Sequence, residues 1–539
     1  MATTVAIVGG IGFFLLGMAV MTDGLKALAG SALRTVLAKA AATSLSGTVW
    51  GAVVTLLVQS SSATTMTTVG LVSAGLLSFP QGLSLVFGAN IGTTGTGWLV
   101  ALLGVRISLT AYALPIVFAG ALLKLIGSGR WAASGAALAG FALILVGLTT
   151  LQQGMSGLAE RLHPADLPAV LGGPGVAWGP GVLGLLALVA TGIVMTAVMQ
   201  SSTAAITISI SALSAGAIDL DQALALVIGQ NIGTATSSAM AAIGASNTAK
   251  RLAVAYIAFK LIAAAVALVL FPATARGLRV AAGSVDAMTL VAAYHTAYNA
   301  VGVAILLPLI GPFTRAIERL VPDRGSPFTR YLDPAALASP IVAVEAARRT
   351  VARVLNVLCS SATSAGDGPA VRQAAQALQQ VQAFLSKVSE PLPSPDERRW
   401  FIDTLHALDH TLRLAEIIPE RAQLDASRDE PDERRAADLY TQAMRGAADS
   451  ANRLEHVTVQ HAGAASTEAQ PATAIDDLAR CARELASLHL QQRRTTLDSV
   501  AAGKLSAGEA IAKVEALRRL DQRAHHAWRA TAYLAGVVP

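Results

Sequence analysis

Two short clusters of neutral polar residues interrupt long apolar stretches. Positions 59–62 read Gln-Ser-Ser-Ser and positions 200–203 read Gln-Ser-Ser-Thr. Amide and hydroxyl groups can bind an anion, together with the backbone N–H groups that lack partners where a helix begins. In hydrocarbon these groups are costly unless they are paired or line a wet cavity, so we interpret them as substrate-binding residues. The candidates are Gln59, Ser60, Ser61, Ser62, Gln200, Ser201, Ser202 and Thr203.

A second motif, Gly-x-Asn-Ile-Gly-Thr, occurs at 88–93 and again at 229–234. Its glycines, with Gly95 and Gly97 in the first copy, favour a helix break near Asn90 and near Asn231. A break frees carbonyl oxygens, and these suit a hard cation such as sodium. Neither motif contains an acidic residue, so the site would use neutral oxygens and the bound anion itself. The candidate ion-binding residues are Asn90, Thr93, Asn231 and Thr234.

The two copies of each motif have the same separation in the chain, without a gap: Gln59 corresponds to Gln200, and Asn90 corresponds to Asn231. Between Gln59 and Thr93, 16 of 35 positions are identical to their counterparts in the second copy. Chance matches of Ala, Gly and Leu are expected in an apolar chain, but matching Gln and Asn at one fixed separation are not. The sequence therefore indicates an internal duplication.

Hydropathy predicts an all-α, polytopic membrane protein, since a spanning helix needs about 20 apolar residues. The stretches Val49–Leu77 and Val182–Ala217 are apolar but interrupted by Gln-Ser-Ser, which predicts a re-entrant hairpin in each repeat; two ordinary spans joined by a short turn are the alternative. The predicted spans are Val5–Met21, Leu83–Leu103, Ser108–Ile126, Trp131–Thr150, Leu224–Ile243, Leu252–Leu270 and Met288–Ile310.

Charge divides the chain into two parts. Residues up to Asp333 contain 9 acidic and 16 basic side chains, and the rest contain 25 and 24. We predict a transmembrane transporter domain at 1–312 with repeat cores at about 45–127 and 181–271, a linker at 313–339, and a cytosolic helical domain at 340–539. Both cysteines, Cys359 and Cys481, lie in the last part, which fits a reducing compartment.

Basic residues predict the orientation in the membrane. With both hairpins entering and leaving on one side, Lys124, Arg130 and Lys250 lie on a face richer in Lys and Arg than the opposite face, so it is predicted to be cytoplasmic. The C-terminal domain is then inside and the N-terminus outside, with Val5–Met21 retained as a helix. The two repeats face opposite ways, as in many secondary transporters.

Other polar residues lie in or beside predicted spans. Lys260 is in mid-helix, where it would contact an anion or extend toward the interface. His295 and Asn299 share one helix face and are expected to form hydrogen bonds between helices. Asp219 and Asp221 follow the second hairpin and are predicted to be solvated.

The paired Gln-Ser-Ser motifs, each followed by Gly-x-Asn-Ile-Gly-Thr, resemble the sodium-dependent phosphate cotransporters of the type II family, in its bacterial branch. The resemblance covers roughly residues 1–312 and includes His295 and Asn299 of the last-helix pattern. It implies phosphate as substrate at the Gln-Ser-Ser tips and sodium as coupling ion against the tips and the broken helices. No other cofactor is expected. The opposed repeats predict alternating access, and the predicted location is the inner membrane.

The C-terminal part has helical periodicity, with a predicted helix start at Ser394, and resembles a PhoU-like bundle. Leu412 and Glu416 occupy the positions where that family has a metal-binding carboxylate pair, so the first carboxylate is missing. A plain helical bundle for docking or dimerisation is the alternative. A homodimer and a cytosolic regulatory partner are left open, and no nucleic-acid partner is expected.

Three other functions compete with phosphate transport. A transporter of another anion, such as a dicarboxylate or sulphate, would use the same neutral oxygens and helix ends. A channel is less compatible with a duplicated core and opposed hairpins. A membrane enzyme, or a receptor whose soluble domain acts, is disfavoured because the sequence contains no phosphate-loop lysine motif, no His-Glu-x-x-His, no nucleophile elbow and no metal-ligand cluster.

Overall fold

The computed structural model is α-helical and has no strand in the part of the chain that it describes. The described ranges are 2–29, 43–106, 110–243, 246–322, 327–363, 368–388, 392, 394–418, 431–456 and 470–537. The helices form two compact units. The first is Met1–Val69 with Leu77–Asp323, and the second is Gly70–Leu76 with Arg324–Pro539.

The first unit contains thirteen α-helices among its described residues, and we number them in chain order. They are α1 (Ala2–Ala29), α2 (Ser44–Val58), α3 (Ser61–Ser73, whose last residues belong to the second unit), α4 (Phe79–Gly92), α5 (Gly95–Arg106), α6 (Thr110–Ile126), α7 (Arg130–Ala159), α8 (Trp178–Met199), α9 (Ser202–Ser214), α10 (Leu220–Ala242), α11 (Asn247–Ala281), α12 (Ala287–Leu306) and α13 (Ile310–Leu320).

Six segments in the described residues are long and apolar enough to cross a membrane, which makes the protein a multi-pass membrane protein. They are Ala2–Ala29, Phe79–Leu102, Arg130–Ala159, Trp178–Met199, Asn247–Ala281 and Ala287–Leu306.

The predicted spans differ from these segments in three places. Trp178–Met199 was predicted as a hairpin arm, yet it is long enough to span by itself. The predicted span Leu224–Ile243 corresponds to α10, which is not among the six because its polar residues lower its hydropathy. The predicted span Ser108–Ile126 corresponds to α6, a short apolar helix, and its first two residues lie outside the described part.

Close approaches at glycine hold the first unit together. A Cβ atom at Gly10 or Gly17 of α1 would collide with the backbone of Leu151 or Ile144 in α7. These glycines are two helical turns apart, so they lie on one face of α1 and let the two backbones pack closely. Small residues are a common basis of helix pairing in membranes, where lipid tails remove the hydrophobic driving force between helices.

The sequence duplication produces duplicated packing. In the first half Gly88 of α4 lies against the carbonyl oxygen of Thr48 in α2, and in the second Gly229 of α10 lies against that of Val189 in α8. Thr48 and Val189 themselves occupy equivalent positions of the two repeats. The same helix pair has therefore formed twice from the repeated sequence.

The predicted helix break occurs in only one of the two halves. Thr93 and Thr94 separate α4 from α5, directly after the Asn90 motif. The break predicted near Asn231 is wrong, because α10 is continuous from Leu220 to Ala242. The counterparts of Gly95 and Gly97 are Thr236 and Ser238, so the second half lacks two residues with poor helix propensity.

The second unit is a helical bundle. Its helices are α14 (Pro340–Thr363), α15 (Gly368–Leu385), α16 (Pro395–Ile417), α17 (Pro431–His456), α18 (Gln470–Ala501) and α19 (Ala507–Leu534). Their apolar faces meet in a core that includes Leu355, Leu378, Met444, Leu485 and Leu520. Ser394 forms a capping box with Glu397 at the start of α16, which is the helix start that the sequence predicts.

The described part of the range 313–339, predicted as a linker, contains most of α13 and a 3-10 turn at Pro334–Ala338. Within the second unit, Arg349 donates to the carbonyl oxygen of Gly75 at 2.8 Å, and Ser73 donates to Asp333 at 2.5 Å. The short segment Gly70–Leu76 is thus bound to the bundle by side-chain hydrogen bonds. Most of the polar stretch predicted at Gly463–Thr473 lies outside the described residues.

Candidate functional site

Gln59 and Gln200 form the turns between the arms of the two hairpins. They are the two non-glycine residues with positive φ among the described residues, at 57° and 51°. This left-handed conformation ends α2 and α8 and reverses the chain direction. Because a β-carbon disfavours it, side-chain contacts must hold it in place.

The side-chain contacts of the two glutamines are equivalent. The amide of Gln59 donates to the carbonyl oxygen of Leu56, and that of Gln200 donates to Ala197, both at 2.5 Å. The Oε1 atom of Gln59 accepts from Thr96 at 2.5 Å. That of Gln200 accepts from Ser237 at 2.7 Å. Each glutamine therefore connects its hairpin tip to the segment that follows the Asn motif.

The first serine of each tip caps a helix. The Oγ atom of Ser60 accepts from the N–H of Ala63, and that of Ser201 accepts from Ala204, both at 3.2 Å. An N-cap of this kind satisfies one of the donors left free at a helix start. Ser60 and Ser201, predicted as substrate-binding residues, therefore also have a structural role.

The next two residues of each tip keep their hydroxyl groups free. Within the described residues, Ser61, Ser62, Ser202 and Thr203 donate no side-chain hydrogen bond. They occupy the first turns of α3 and α9, where backbone N–H groups also lack intrahelical partners. Free hydroxyls beside a helix N-terminus are the groups that an oxyanion needs.

The hairpin arms differ between the halves. Thr55 of α2 donates to Thr64 of α3 at 2.9 Å, which ties the two arms together. In the second half Thr196 occupies the position of Thr55, but the position of Thr64 holds Ala205. The hydroxyl of Thr196 is buried and has no hydrogen-bond partner in the described structure.

In the first half, the predicted ion-binding residues lie at the end of α4. The amide nitrogen of Asn90 donates to the carbonyl oxygen of Val86 at 2.9 Å, and Asn90 is 4% exposed. Its Oδ1 atom accepts from no described residue. Thr93 donates to Ala89 at 2.8 Å and caps the helix. An amide oxygen at the break is thus available to a cation.

In the second half, the corresponding oxygen is already occupied. Asn231 donates to the carbonyl oxygen of Val227 at 3.2 Å, as Asn90 does to Val86. Its Oδ1 atom, however, accepts from the ammonium group of Lys260 in α11 at 3.1 Å. Thr234 donates to the carbonyl oxygen of Asn231 at 2.6 Å and lies 3.3 Å from the hydroxyl of Tyr256.

Helix α12 brings the first motif region close to the second hairpin. Trp98 donates to Thr296 at 2.9 Å, and Thr296 donates to Thr94 beside the first break at 3.0 Å. A Cβ atom at Gly97 would lie 3.7 Å from Nδ1 of His295 and 3.8 Å from Ile206 in α9. Residues of both halves therefore meet at α12.

One of the two expectations for the flanking aspartates needs revision. Asp221 was predicted to be solvated, but it is 8% exposed and forms an ion pair with Arg279 of α11. The charge of Arg279 allows the carboxylate to stay away from water. Asp219 is exposed, as expected, and caps α10 by accepting from Gln222.

Asn299 forms the predicted hydrogen bond between helices, accepting from Lys260 at 3.4 Å. The ring Nδ1 of His295, predicted to act likewise, is buried and has no partner in the described structure. Sequence reasoning missed Thr96 and Ser237 as partners of the glutamines. They were detectable, because both have the same spacing from their glutamine and therefore occupy equivalent positions of the two repeats.

Taken together, the apolar helices, the repeated hairpins and the free hydroxyls at their tips indicate a multi-pass membrane transporter built from a duplicated sequence. The family model described as Na+/Pi-cotransporter matches residues 13–153 and 185–292. The chain is 31% identical to YqeW of Bacillus subtilis (strain 168) over 312 residues, 58% of this chain and 96% of the relative. The chain belongs to the Na+/Pi-cotransporter family.

Two further relatives have descriptive names. The putative inorganic phosphate export protein YjbB of Escherichia coli (strain K12) is 26% identical over 362 residues, which are 66% of this chain and 63% of that protein. The sodium-dependent phosphate transport protein 2A of Ovis aries is 46% identical over 59 residues, 11% of this chain and 9% of that protein. No solved structure matches the chain at a significant level.

Proposed function

We propose that the protein moves inorganic phosphate across the membrane together with sodium, by alternating access between two repeats of opposite orientation. The observation that carries the proposal is the duplicated tip, in which the same glutamine geometry presents free hydroxyls at Ser61 and Ser202. Family membership and the relatives' names favour phosphate over a dicarboxylate or sulphate.

Each tip would hold phosphate oxygens through two kinds of donor. The hydroxyls of Ser61, Ser62, Ser202 and Thr203 would donate directly, and the free N–H groups of the first turns of α3 and α9 would add their partial positive charge. Gln59 and Gln200 would fix the tips, since their amides are hydrogen-bonded on both sides.

Sodium would bind oxygens near the first break, at Asn90 and Thr93, with Asn231 and Thr234 as the second candidate pair. The free Oδ1 atom of Asn90 supports the first assignment. Bound phosphate would supply the negative charge that these neutral oxygens lack, and the two ions would therefore bind together.

The protein is proposed to lie in the inner membrane, with the C-terminal domain in the cytoplasm and the N-terminus outside. The helical core of residues 340–539 is compatible with the proposed PhoU-like regulatory role. A homodimer and a cytosolic regulatory partner remain proposals of the same kind.

The test is radiolabelled phosphate flux into sealed proteoliposomes that contain the purified protein. Uptake should be faster under an inward sodium gradient than under a potassium gradient or a proton gradient. Unlabelled arsenate should inhibit the uptake of labelled phosphate, and sulphate and succinate should not. Absence of phosphate flux under both gradients, in vesicles shown to be sealed, would contradict phosphate as the substrate.

Export is a second candidate for direction, because the Escherichia coli relative is named as a phosphate export protein. Efflux from vesicles preloaded with labelled phosphate should be measured with sodium on either side. Efflux that exceeds uptake at matched gradients would favour export, and equal rates would indicate that the imposed gradients set the direction.

A further inference from the structure

Lys260 is a buried lysine in the middle of a membrane helix. It lies well inside the 35-residue helix α11 and is 2% exposed. A side chain that extended toward the interface would leave its ammonium group in water. Lys260 instead keeps this group inside the first unit, where a buried charge persists only if its surroundings compensate it.

Two amide oxygens lie within hydrogen-bond distance of the Nζ atom of Lys260. The Nζ atom of Lys260 donates to Oδ1 of Asn231 at 3.1 Å and to Oδ1 of Asn299 at 3.4 Å. Both amides are oriented by their own helices, because their nitrogen atoms donate to the Val227 and His295 carbonyls. The two carbonyl groups therefore point at one position between α10, α11 and α12.

The rest of the surroundings also suit a cation. The Nζ atom lies 5.5 Å from the centroid of the Tyr256 ring, within the distance of about 6 Å at which cation–π attraction operates. No carboxylate lies within ion-pair distance of Lys260 in the described part of the first unit. The Nζ atom of Lys260 is thus surrounded by neutral oxygens and, among the described residues, by no carboxylate. A sodium ion at the same position would need the same kind of ligand.

The first half has no cation at the position equivalent to Lys260. The residue that corresponds to Lys260 in the first repeat is Ala119, which carries no charge. Asn90, the counterpart of Asn231, has the same backbone hydrogen bond but no donor to its Oδ1 atom among the described residues. The Oδ1 atom of Asn90 is thus available to a cation from solution, whereas the Oδ1 atom of Asn231 is bound by the side chain of Lys260.

We propose that the ammonium group of Lys260 is a tethered cation that takes the place of a sodium ion at Asn231 and Asn299. The second half then binds no sodium ion at Asn231. Each transport cycle therefore carries one sodium ion fewer than it would if both copies of the Asn motif bound one. The inference rests on the proposed sodium-coupled phosphate transport, and it corrects the assignment of Asn231 as a sodium ligand in that proposal.

The test compares Lys260→Met, which keeps most of the length of the side chain and removes its charge, with Lys250→Met. Lys250 is half-buried near the start of the same helix, so its replacement controls for the loss of one charge from α11. Labelled phosphate uptake and net charge movement are measured in proteoliposomes as the sodium concentration is varied. Sodium-dependent thermal stabilisation of the purified variants provides a reading that needs no transport.

Lys260→Met should make phosphate uptake depend more steeply on sodium, with a Hill coefficient higher by about one if the vacated position binds an additional ion cooperatively. This variant should also transport one more positive charge with each phosphate, and sodium should raise its thermal stability more than that of the wild type. Lys250→Met should match the wild type in all three measurements. An unchanged sodium dependence with a raised phosphate KM in Lys260→Met would overturn the proposal and assign Lys260 to phosphate binding.

Two further results keep the proposal testable. If Lys260→Met does not fold, Lys260→Arg is the second variant, because arginine keeps a cation at this position. In Lys260→Arg, an unchanged charge per phosphate supports the proposal, and an increase by one overturns it. If the wild type shows no sodium stimulation, the proposed coupling has failed; the inference is then supported if Lys260→Met alone acquires stimulation and overturned if it does not.

Discussion

The contacts around Gly88 and those around Gly229 match residue for residue, whereas the contacts around Asn90 and Asn231 do not. Both glycines pack against a carbonyl oxygen of the preceding hairpin arm. Asn90 has a free Oδ1 atom within the described structure, but Asn231 is bound to Lys260. Backbone packing has thus been kept in both halves of the duplicated sequence, while the side chains beside the motifs have diverged.

This difference between the glycine contacts and the asparagine contacts shows which positions of a duplicated sequence resist substitution. A helix pair that approaches closely tolerates only glycine at the contact, so substitution there is costly in either half. A polar side chain facing a cavity can change if another residue supplies the missing charge or hydrogen bond. Lys260 has that effect in the second half, and the two halves are therefore expected to respond differently to substitution near the ions and equally at the tips.

The largest expected effect concerns the tips themselves. Ser61→Ala and Ser202→Ala should each lower phosphate uptake by about 10- to 100-fold, because a hydrogen bond to a charged group is worth about 1.5–3 kcal/mol. Uptake in proteoliposomes with equal protein content measures the loss. Thr191→Ala, which removes an exposed hydroxyl bonded to its own helix, is the control and should leave uptake unchanged. Normal uptake in both serine variants would contradict the tip assignment.

The positions of the tips were predictable because each tip is a short contiguous motif that occurs twice in the sequence. A Gln-Ser-Ser run in an apolar background indicates a turn, and a second copy at a fixed separation identifies Gln59 and Gln200 as equivalent. The structure adds their left-handed backbone and their bonds to Thr96 and Ser237. The helical character of both parts of the chain also followed from hydropathy and from 3.6-residue periodicity.

Other features depend on contacts between distant segments, which spacing does not encode. Nothing near Lys260 in the sequence indicates that it meets Asn231 and Asn299, 29 and 39 residues away. The ion pair between Asp221 and Arg279 was missed for the same reason. The continuous helix α10 was mispredicted for another reason. Glycine permits a helix break, but neighbouring residues and packing decide whether a break forms.

The second prediction tests whether the packing of the two halves is equivalent. Gly88→Ala and Gly229→Ala should each destabilise the protein by about 1–3 kcal/mol, since the added methyl group collides with a carbonyl oxygen of Thr48 or Val189. Thermal unfolding of the purified variants in detergent measures the change. Gly277→Ala is the control, because a Cβ atom there meets nothing within 4 Å. A large loss in one half and none in the other would show that the duplicated packing differs in strength.

The third prediction exchanges the sequence around the break. Gly95→Thr combined with Gly97→Ser gives the first half the residues of the second and should favour a continuous helix by about 1 kcal/mol, or about fivefold. Sodium-driven uptake should fall by a similar factor, since oxygens released by the break would be lost. A Cβ atom at Gly97 makes only ordinary contacts, and one at Gly95 meets the flexible side chain of Leu56.

The reverse exchange is the matched comparison. Thr236→Gly with Ser238→Gly weakens α10 without supplying an ion site, because Lys260 still occupies the oxygen of Asn231. It should lower stability and leave the steepness of the sodium dependence unchanged. An increase in steepness would show that a break alone creates a sodium site, and the difference between the halves would then lie in the glycines and not in Lys260.

The smallest expected effect concerns the hydroxyl pair that joins the arms of the first hairpin. Thr55 and Thr64 form a buried hydrogen bond at 2.9 Å, whereas Thr196 occupies the equivalent position without a partner in the described structure. A double-mutant cycle of Thr55→Ala and Thr64→Ala should give a coupling of about 0.6 kcal/mol, the typical value for such pairs inside membranes.

In the second hairpin, Ala205→Ser should raise the unfolding midpoint slightly, because its hydroxyl would give Thr196 a partner. The same substitution in a Thr196→Ala background should lose that gain, and thermal unfolding in detergent would measure both. A gain that persists without Thr196 would mean that the serine has another partner, such as Gln230, whose Oε1 atom is also buried and unpaired in the described structure. In that case the added hydroxyl would strengthen a connection that already exists, because Gln230 of α10 donates to the carbonyl oxygen of Ala205 at 3.0 Å and to Ser209 at 2.7 Å. The arms of the two hairpins would then be held together in different ways.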